Sequence, residues 1–80
     1  MEREAWMMGA NRHRFDGSKG GFRAWVNEMG NGSWCCEVKD AAYKTKVVWF
    51  GSSELECRSR LATVGAVLGC EFREIAGWAR

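Results

Sequence analysis

Proline is absent from this 80-residue chain, and histidine and tyrosine occur once each. Without proline no corner is fixed by a rigid ring, so the turns must rely on the ten glycines. No stretch reaches the roughly 18 apolar residues that a membrane span needs. Met1-Glu2-Arg3-Glu4-Ala5-Trp6-Met7-Met8 has no apolar run of the secretory kind. The expectation is a soluble, cytoplasmic protein whose four cysteines are reduced thiols. Internal repeats, linkers and low-complexity tracts are also missing, so the chain reads as a single domain, 1–80.

Charge of one sign is scarce: 12 Lys and Arg stand against 10 Asp and Glu, a net +2. That is small beside dedicated nucleic-acid binders, whose domain pI usually exceeds about 9. The excess is unevenly placed. Residues 1–23 hold Arg3, Arg12, Arg14, Lys19 and Arg23 against Glu2, Glu4 and Asp16, while the rest of the chain balances. This segment is either a solvated basic arm or an electrostatic contact to phosphate or to an acidic protein surface.

What the chain does have is apolar and aromatic mass. Hydrophobic residues make up 46%, with five Trp and four Phe. Such side chains bury the most area per residue and give a small domain its core.

Residues 1–21 read as an irregular basic segment, because Gly9, Gly17, Gly20 and Gly21 interrupt any period. Residues 22–75 read as a sheet-helix core. Phe22–Met29 is a first strand, ended by Gly30-Asn31-Gly32, a hairpin signal. Gly32–Asp40 is a second, with Trp34, Cys36 and Val38 on the core face and Cys35, Glu37 and Lys39 on the other. Asp40–Tyr43 reverses the chain into Lys44–Phe50. There Val47, Val48, Trp49 and Phe50 run together, as in a central strand or one with a partly covered outer face.

A helix follows from Ser53 to Leu68. Ser53 and Glu56 form a capping box, and Cys57, Leu61, Val64 and Leu68 make one apolar stripe. Gly65 is placed for close approach and Gly69 for the stop. Cys70–Ile75 fits a fourth strand or a fraying helical tail, and is read as extended. The predicted class is α+β: a small antiparallel sheet of three or four strands with one α-helix packed on one face.

Catalytic and metal chemistry find little support. Zinc needs paired ligands about two to four residues apart, whereas Cys35 and Cys36 point to opposite faces and Cys57, Cys70 and His13 stand alone. A Cys–His nucleophile would depend on His13, in the segment read as irregular. Gly17-Ser18-Lys19-Gly20-Gly21 lacks the spacing of a phosphate loop and is read as a flexible hinge. No enzyme activity, cofactor, metal or small-molecule substrate is expected. The candidate contact residues are Arg12, Arg14, Lys19, Arg23, Trp25, Lys44 and Lys46, with Trp34 and Trp49 assigned to the core and Trp6 and Trp78 to the termini.

Residues 22–68 resemble the AP2-type DNA-binding domain. The likeness lies in Phe22-Arg23, in Gly32-x-Trp34-x-x-Glu37-Val38-Lys39-Asp40, in Val48-Trp49-Phe50-Gly51 and in the helix that opens near Glu54. It implies a three-stranded sheet that reads the major groove with arginines and tryptophans. The chain departs from that pattern at Asn27 and Glu28, where the family places basic residues.

By format, a compact motif-poor domain with surplus tryptophan, the chain also resembles the small anti-CRISPR proteins of phages and prophages, inhibitors of type I systems among them. The preferred expectation is a non-enzymatic phage or mobile-element inhibitor that binds the surface of a bacterial host's CRISPR-Cas complex in the cytoplasm. The alternative is a DNA-binding domain acting through its sheet and basic amino-terminal segment.

Overall fold

Alternation along short runs sorts this chain's apolar residues onto one side of a sheet, and one helix covers that side. In the computed structural model, which describes residues 11–77, the strands are β1 (Arg12–Gly17), β2 (Arg23–Glu28), β3 (Trp34–Lys39), β4 (Thr45–Gly51) and β5 (Phe72–Glu74). The helix, α1, spans Glu54–Leu68. All pairings are antiparallel, and the strand order is β4-β3-β2-β1-β5. The α+β class is as predicted, with one sheet of five strands instead of three or four.

The additional strand is β1. Residues 12–17, read from sequence as part of an irregular segment, pair with β2 on one side and β5 on the other. Local preference there is weak, and pairing on both sides overrides it. Phe15 supplies the apolar contribution, buried to 5% exposure. Trp6, Trp78 and the Met1–Met8 run lie outside the described residues.

Three hairpins set the register. Between β1 and β2, the Gly17 amide donates to the Phe22 carbonyl at 2.8 Å, with Gly20 and Gly21 at positive φ. Ser18 locks this turn to the strand-β5 approach: its amide donates to the Glu71 carbonyl at 2.8 Å, and its hydroxyl accepts from the Glu71 amide at 2.9 Å. The segment read as a hinge is therefore a clasped turn. Between β2 and β3, Asn31 Oδ1 accepts from the Ser33 amide and hydroxyl. Between β3 and β4, the Asp40 carboxylate accepts from the Ala42 and Lys44 amides, and these bonds, Lys44's first, hold its pKa below the usual range.

The helix starts where expected. Ser53 caps it, its hydroxyl accepting from the Glu56 amide at 3.1 Å. Glu56 reaches one residue further back than a capping box requires, accepting from the Ser52 amide and hydroxyl, each at 2.9 Å. Gly69, at φ 76°, ends the helix in the left-handed region that favours glycine.

Cys57 and Leu61 bring the helical stripe onto Phe15, Ala24, Val26, Trp34, Cys36, Val38 and Trp49. Val64 and Leu68 pack at its margin. Burying a side chain such as Leu61 contributes about 1.5–3 kcal/mol.

The β4 reading needs correction. Among the described residues this strand is not central and its outer face is not covered; it is an edge of the sheet. Trp49 is buried on the helix side, while Val48 and Phe50 are 51% and 67% exposed on the other. The apolar run is two-sided because its outer half faces solvent.

Candidate functional site

The helix covers one face of the sheet; the register specifies what stands on the other. Opposed residues of antiparallel strands point to the same side, so the open face is built in three rows. The first runs Arg12, Asn27, Cys35, Phe50, and the second Arg14, Trp25, Glu37, Val48. The third runs Arg73, Asp16, Arg23, Lys39, Thr45. Arg12, Arg14, Arg23, Lys39 and Arg73 thus share one face with Asp16 and Glu37, an excess of three positive charges.

Aromatic rings organise these cations. Trp25 lies at the centre, with the Arg14 guanidinium 5.1 Å from its ring centroid and the Lys39 ammonium 5.8 Å away. Arg23 lies over Tyr43, 4.4 Å from that centroid. Such contacts contribute about 0.5–1 kcal/mol each at exposed sites. They also restrict side chains that would otherwise lose rotamer freedom on binding.

Both carboxylates on the face have partners within the protein. Asp16 lies 3.4 Å from Arg14. Glu37 accepts from the Thr45 hydroxyl at 2.6 Å and stands 3.9 Å from Lys39. Among the described residues, Arg14 Nε, Arg23 Nη1 and Asn27 Oδ1 have no hydrogen-bond partner. A groove of about 200 Å³ opens beside Trp25, between Asn27, Cys35, Glu37 and Lys39.

Of the seven residues predicted from sequence, Arg12, Arg14, Arg23 and Trp25 converge on this face. Lys19 sits in the β1–β2 turn and Lys44 in the β3–β4 turn, both exposed. Lys46 occupies the irregular start of β4, where the register shifts between Val38 and Lys39. Lys44 and Lys46 add positive charge beside Asp40 and stand in none of the three rows.

Lys39 and Arg73 were missed. The period-2 pattern of β3 already assigned Lys39 to the outer face, so its signal was present. Arg73 had none, because the pairing of β5 with β1 joins residues far apart in sequence.

A second polar cluster ties the helix to the sheet. His13 lies on β1, in regular structure, not in an irregular segment. Its Nδ1 is 2.6 Å from Glu74 Oε2, its Nε2 is 3.4 Å from Glu54 Oε2, and its ring stacks on Trp34. Arg58 completes the cluster, donating to Glu54 at 2.6 Å and Glu74 at 2.9 Å. Partial burial raises the Glu74 pKa, but the hydrogen bonds from His13 and Arg58 outweigh it and hold the carboxyl below the usual range. This is a clasp of close polar contacts across three elements, with Arg58 paired to Glu54 and Glu74.

The cysteines have raised pKa values where a shift is resolved. Burial lifts Cys36, Cys35 and Cys57, with the Glu37 charge adding to the effect at Cys35. All four thiols are free. Among the described residues, no group of three or more His, Cys, Asp or Glu is placed to hold a metal ion. Nor is any helix among them long and apolar enough to cross a membrane.

The chain matches no known protein family, no curated protein and no solved structure.

Proposed function

We propose that this protein is a non-catalytic binding module that engages double-stranded DNA through the open face of its sheet. The observation that carries the reading is that Arg12, Arg14, Arg23, Lys39 and Arg73 share with Trp25 a sheet face that no element of the described residues covers. Cations presented this way can neutralise phosphates, and arginine forks can bind phosphate or guanine edges bidentately.

Trp25 itself argues against a single-stranded ligand. Stacking platforms for bases need an open ring face, whereas Trp25 is flanked by Arg14 and Lys39. Double-stranded RNA is disfavoured because its deep, narrow major groove excludes such a sheet. The wider groove of B-form DNA admits β-structure.

The test is fluorescence anisotropy with a labelled B-form duplex, titrated between about 50 and 200 mM salt. Contact with three to five phosphates gives a log–log salt slope of roughly −2.7 to −4.5. Arg12→Glu with Arg23→Glu should abolish binding, whereas Arg60→Glu on the helix should leave it intact. Absence of salt-dependent binding, or equal loss in both variants, refutes the reading.

A second reading is favoured by Asp16 and Glu37, two carboxylates embedded in the basic field. They repel phosphate but suit a protein surface of mixed charge. On that reading the module is a phage or mobile-element inhibitor that caps the surface of a bacterial CRISPR-Cas complex. Tight capture of such a purified complex, with no shift of free duplex, would select it over DNA binding.

A further inference from the structure

We infer that β4 is a self-association edge through which two copies of the chain join into one continuous ten-stranded antiparallel sheet. The two edges of the sheet are unequal. β5 has three residues, too short to template much pairing, while β4 has seven. Among the described residues no strand pairs with the outer side of β4. Apolar groups flank that edge on both sides. Val48 and Phe50 are exposed on the open face, and a cleft of about 650 Å³ on the helix side combines Val47, Trp49 and Val64 with the polar Glu56, Ser59 and Arg60.

The occupant is a second copy because β4 is complementary to itself when reversed. Antiparallel pairing about a two-fold axis at Trp49 sets Val48 of each chain opposite Phe50 of the other. Aromatic against β-branched pairs of this kind stabilise a ladder. The same register places Lys46 opposite Ser52, the residue whose amide and hydroxyl hold the Glu56 carboxylate. Lys46 of each chain is thereby brought toward Glu56, the carboxylate that Ser52 binds in the first turn of its partner's helix.

Lysines and bulges usually guard an edge against pairing. Here Lys44, Lys46 and the register shift are confined to the first part of β4. They leave Val47–Gly51 regular and penalise parallel pairing, which would set lysine against lysine. Opposed residues share a face, so both open faces would lie on the same side of the joined sheet. Val48 and Phe50 also stand in two rows of the open face, so association is read without nucleic acid and its failure leaves the DNA reading to its own test.

The test is sedimentation equilibrium of the full chain without nucleic acid, over a concentration series, with hydrogen exchange in parallel. The expected result is a species of twice the 9.0 kDa chain mass. Those amides of residues 47–51 that point away from β3 should gain protection as concentration rises. Val48→Lys with Phe50→Lys should return the protein to monomer with an unchanged melting temperature at low concentration, because both side chains are exposed. Lys46→Glu should weaken association at least about tenfold, the effect of turning one cross-strand attraction into repulsion at each of two symmetric contacts. A monomer at every concentration overturns the inference. So does a dimer that survives Val48→Lys with Phe50→Lys, or one in which those amides gain no protection.

Discussion

Gly65 is the position at which helix propensity and packing make opposite demands. Alanine in a helix interior is better than glycine by about 0.8–1.0 kcal/mol, so propensity alone makes Gly65→Ala stabilising. The structure opposes this. A Cβ built at Gly65 would lie 2.7 Å from the Cys70 carbonyl oxygen and 3.3 Å from Phe72 Cδ2. The first neighbour is backbone and cannot swing aside. It belongs to the residue whose amide donates back to the Gly65 carbonyl at 2.9 Å.

Relief therefore requires the helix to move away from residues 70–72, loosening Phe72 and the β5–β1 pairing that follows it. Overpacking of this kind costs about 1–3 kcal/mol, so the net change is a loss of up to about 2 kcal/mol. For a domain of this size each kcal/mol lowers the melting temperature by about 4–8 °C. The assay is urea and thermal unfolding followed by circular dichroism. Ala66→Gly, at an exposed position one residue on, supplies the calibration: it should lose about 0.8–1.0 kcal/mol by propensity alone. A Gly65→Ala variant more stable than wild type by that same amount would refute the close-approach argument.

Leu61→Ala should lose about 2–5 kcal/mol, since the side chain is 3% exposed at the centre of the helix–sheet core; an unchanged urea midpoint would show the stripe to be misassigned. Glu74 has a depressed native pKa, so its contribution is present in full above its ordinary value of 4.5 and lost as pH falls through the native value. Glu74→Gln should therefore flatten the acid limb of a stability–pH profile, and an unaltered limb would exclude the His13–Arg58 clasp as its source. Native protein should react with a thiol reagent at the half-buried Cys35 and Cys70 before the buried Cys36 and Cys57, as mass spectrometry of the alkylated chain would show; prior labelling of Cys36 would contradict the core.

The readable parts of the sequence were those whose signals are local. Ser53 and Glu56 sit within one helical turn, and Asn31 and Asp40 close turns through their own neighbours' amides. In β3 the alternation of Trp34, Cys36 and Val38 with Cys35, Glu37 and Lys39 depends only on the pleat. The two strands with the weakest local signal, β1, which was read as irregular, and β5, which lies in the segment read as extended, depend on each other. β1 has a single buried residue, Phe15, and β5 has three residues in all; neither is a strand by composition. They become strands because Ser18 binds Glu71 and because His13 and Arg58 hold Glu74, contacts spanning 53, 61 and 16 residues.

The candidate site follows the same division. The charge excess of the amino-terminal segment pointed to Arg12 and Arg14, but for a reason that the fold replaces. They matter as alternate residues of a strand, and alternation turns both onto the face where β2 presents Arg23 and Trp25. Had residues 12–17 been an irregular arm, the two arginines could point anywhere, and each would lose its rotamer freedom only on binding. In β1 their backbone is fixed by pairing on both sides, and Arg14 is held over Trp25 before any ligand arrives. A basic arm and a basic strand carry the same charge; on the proposed reading, the strand would meet DNA with part of the ordering cost already met by folding.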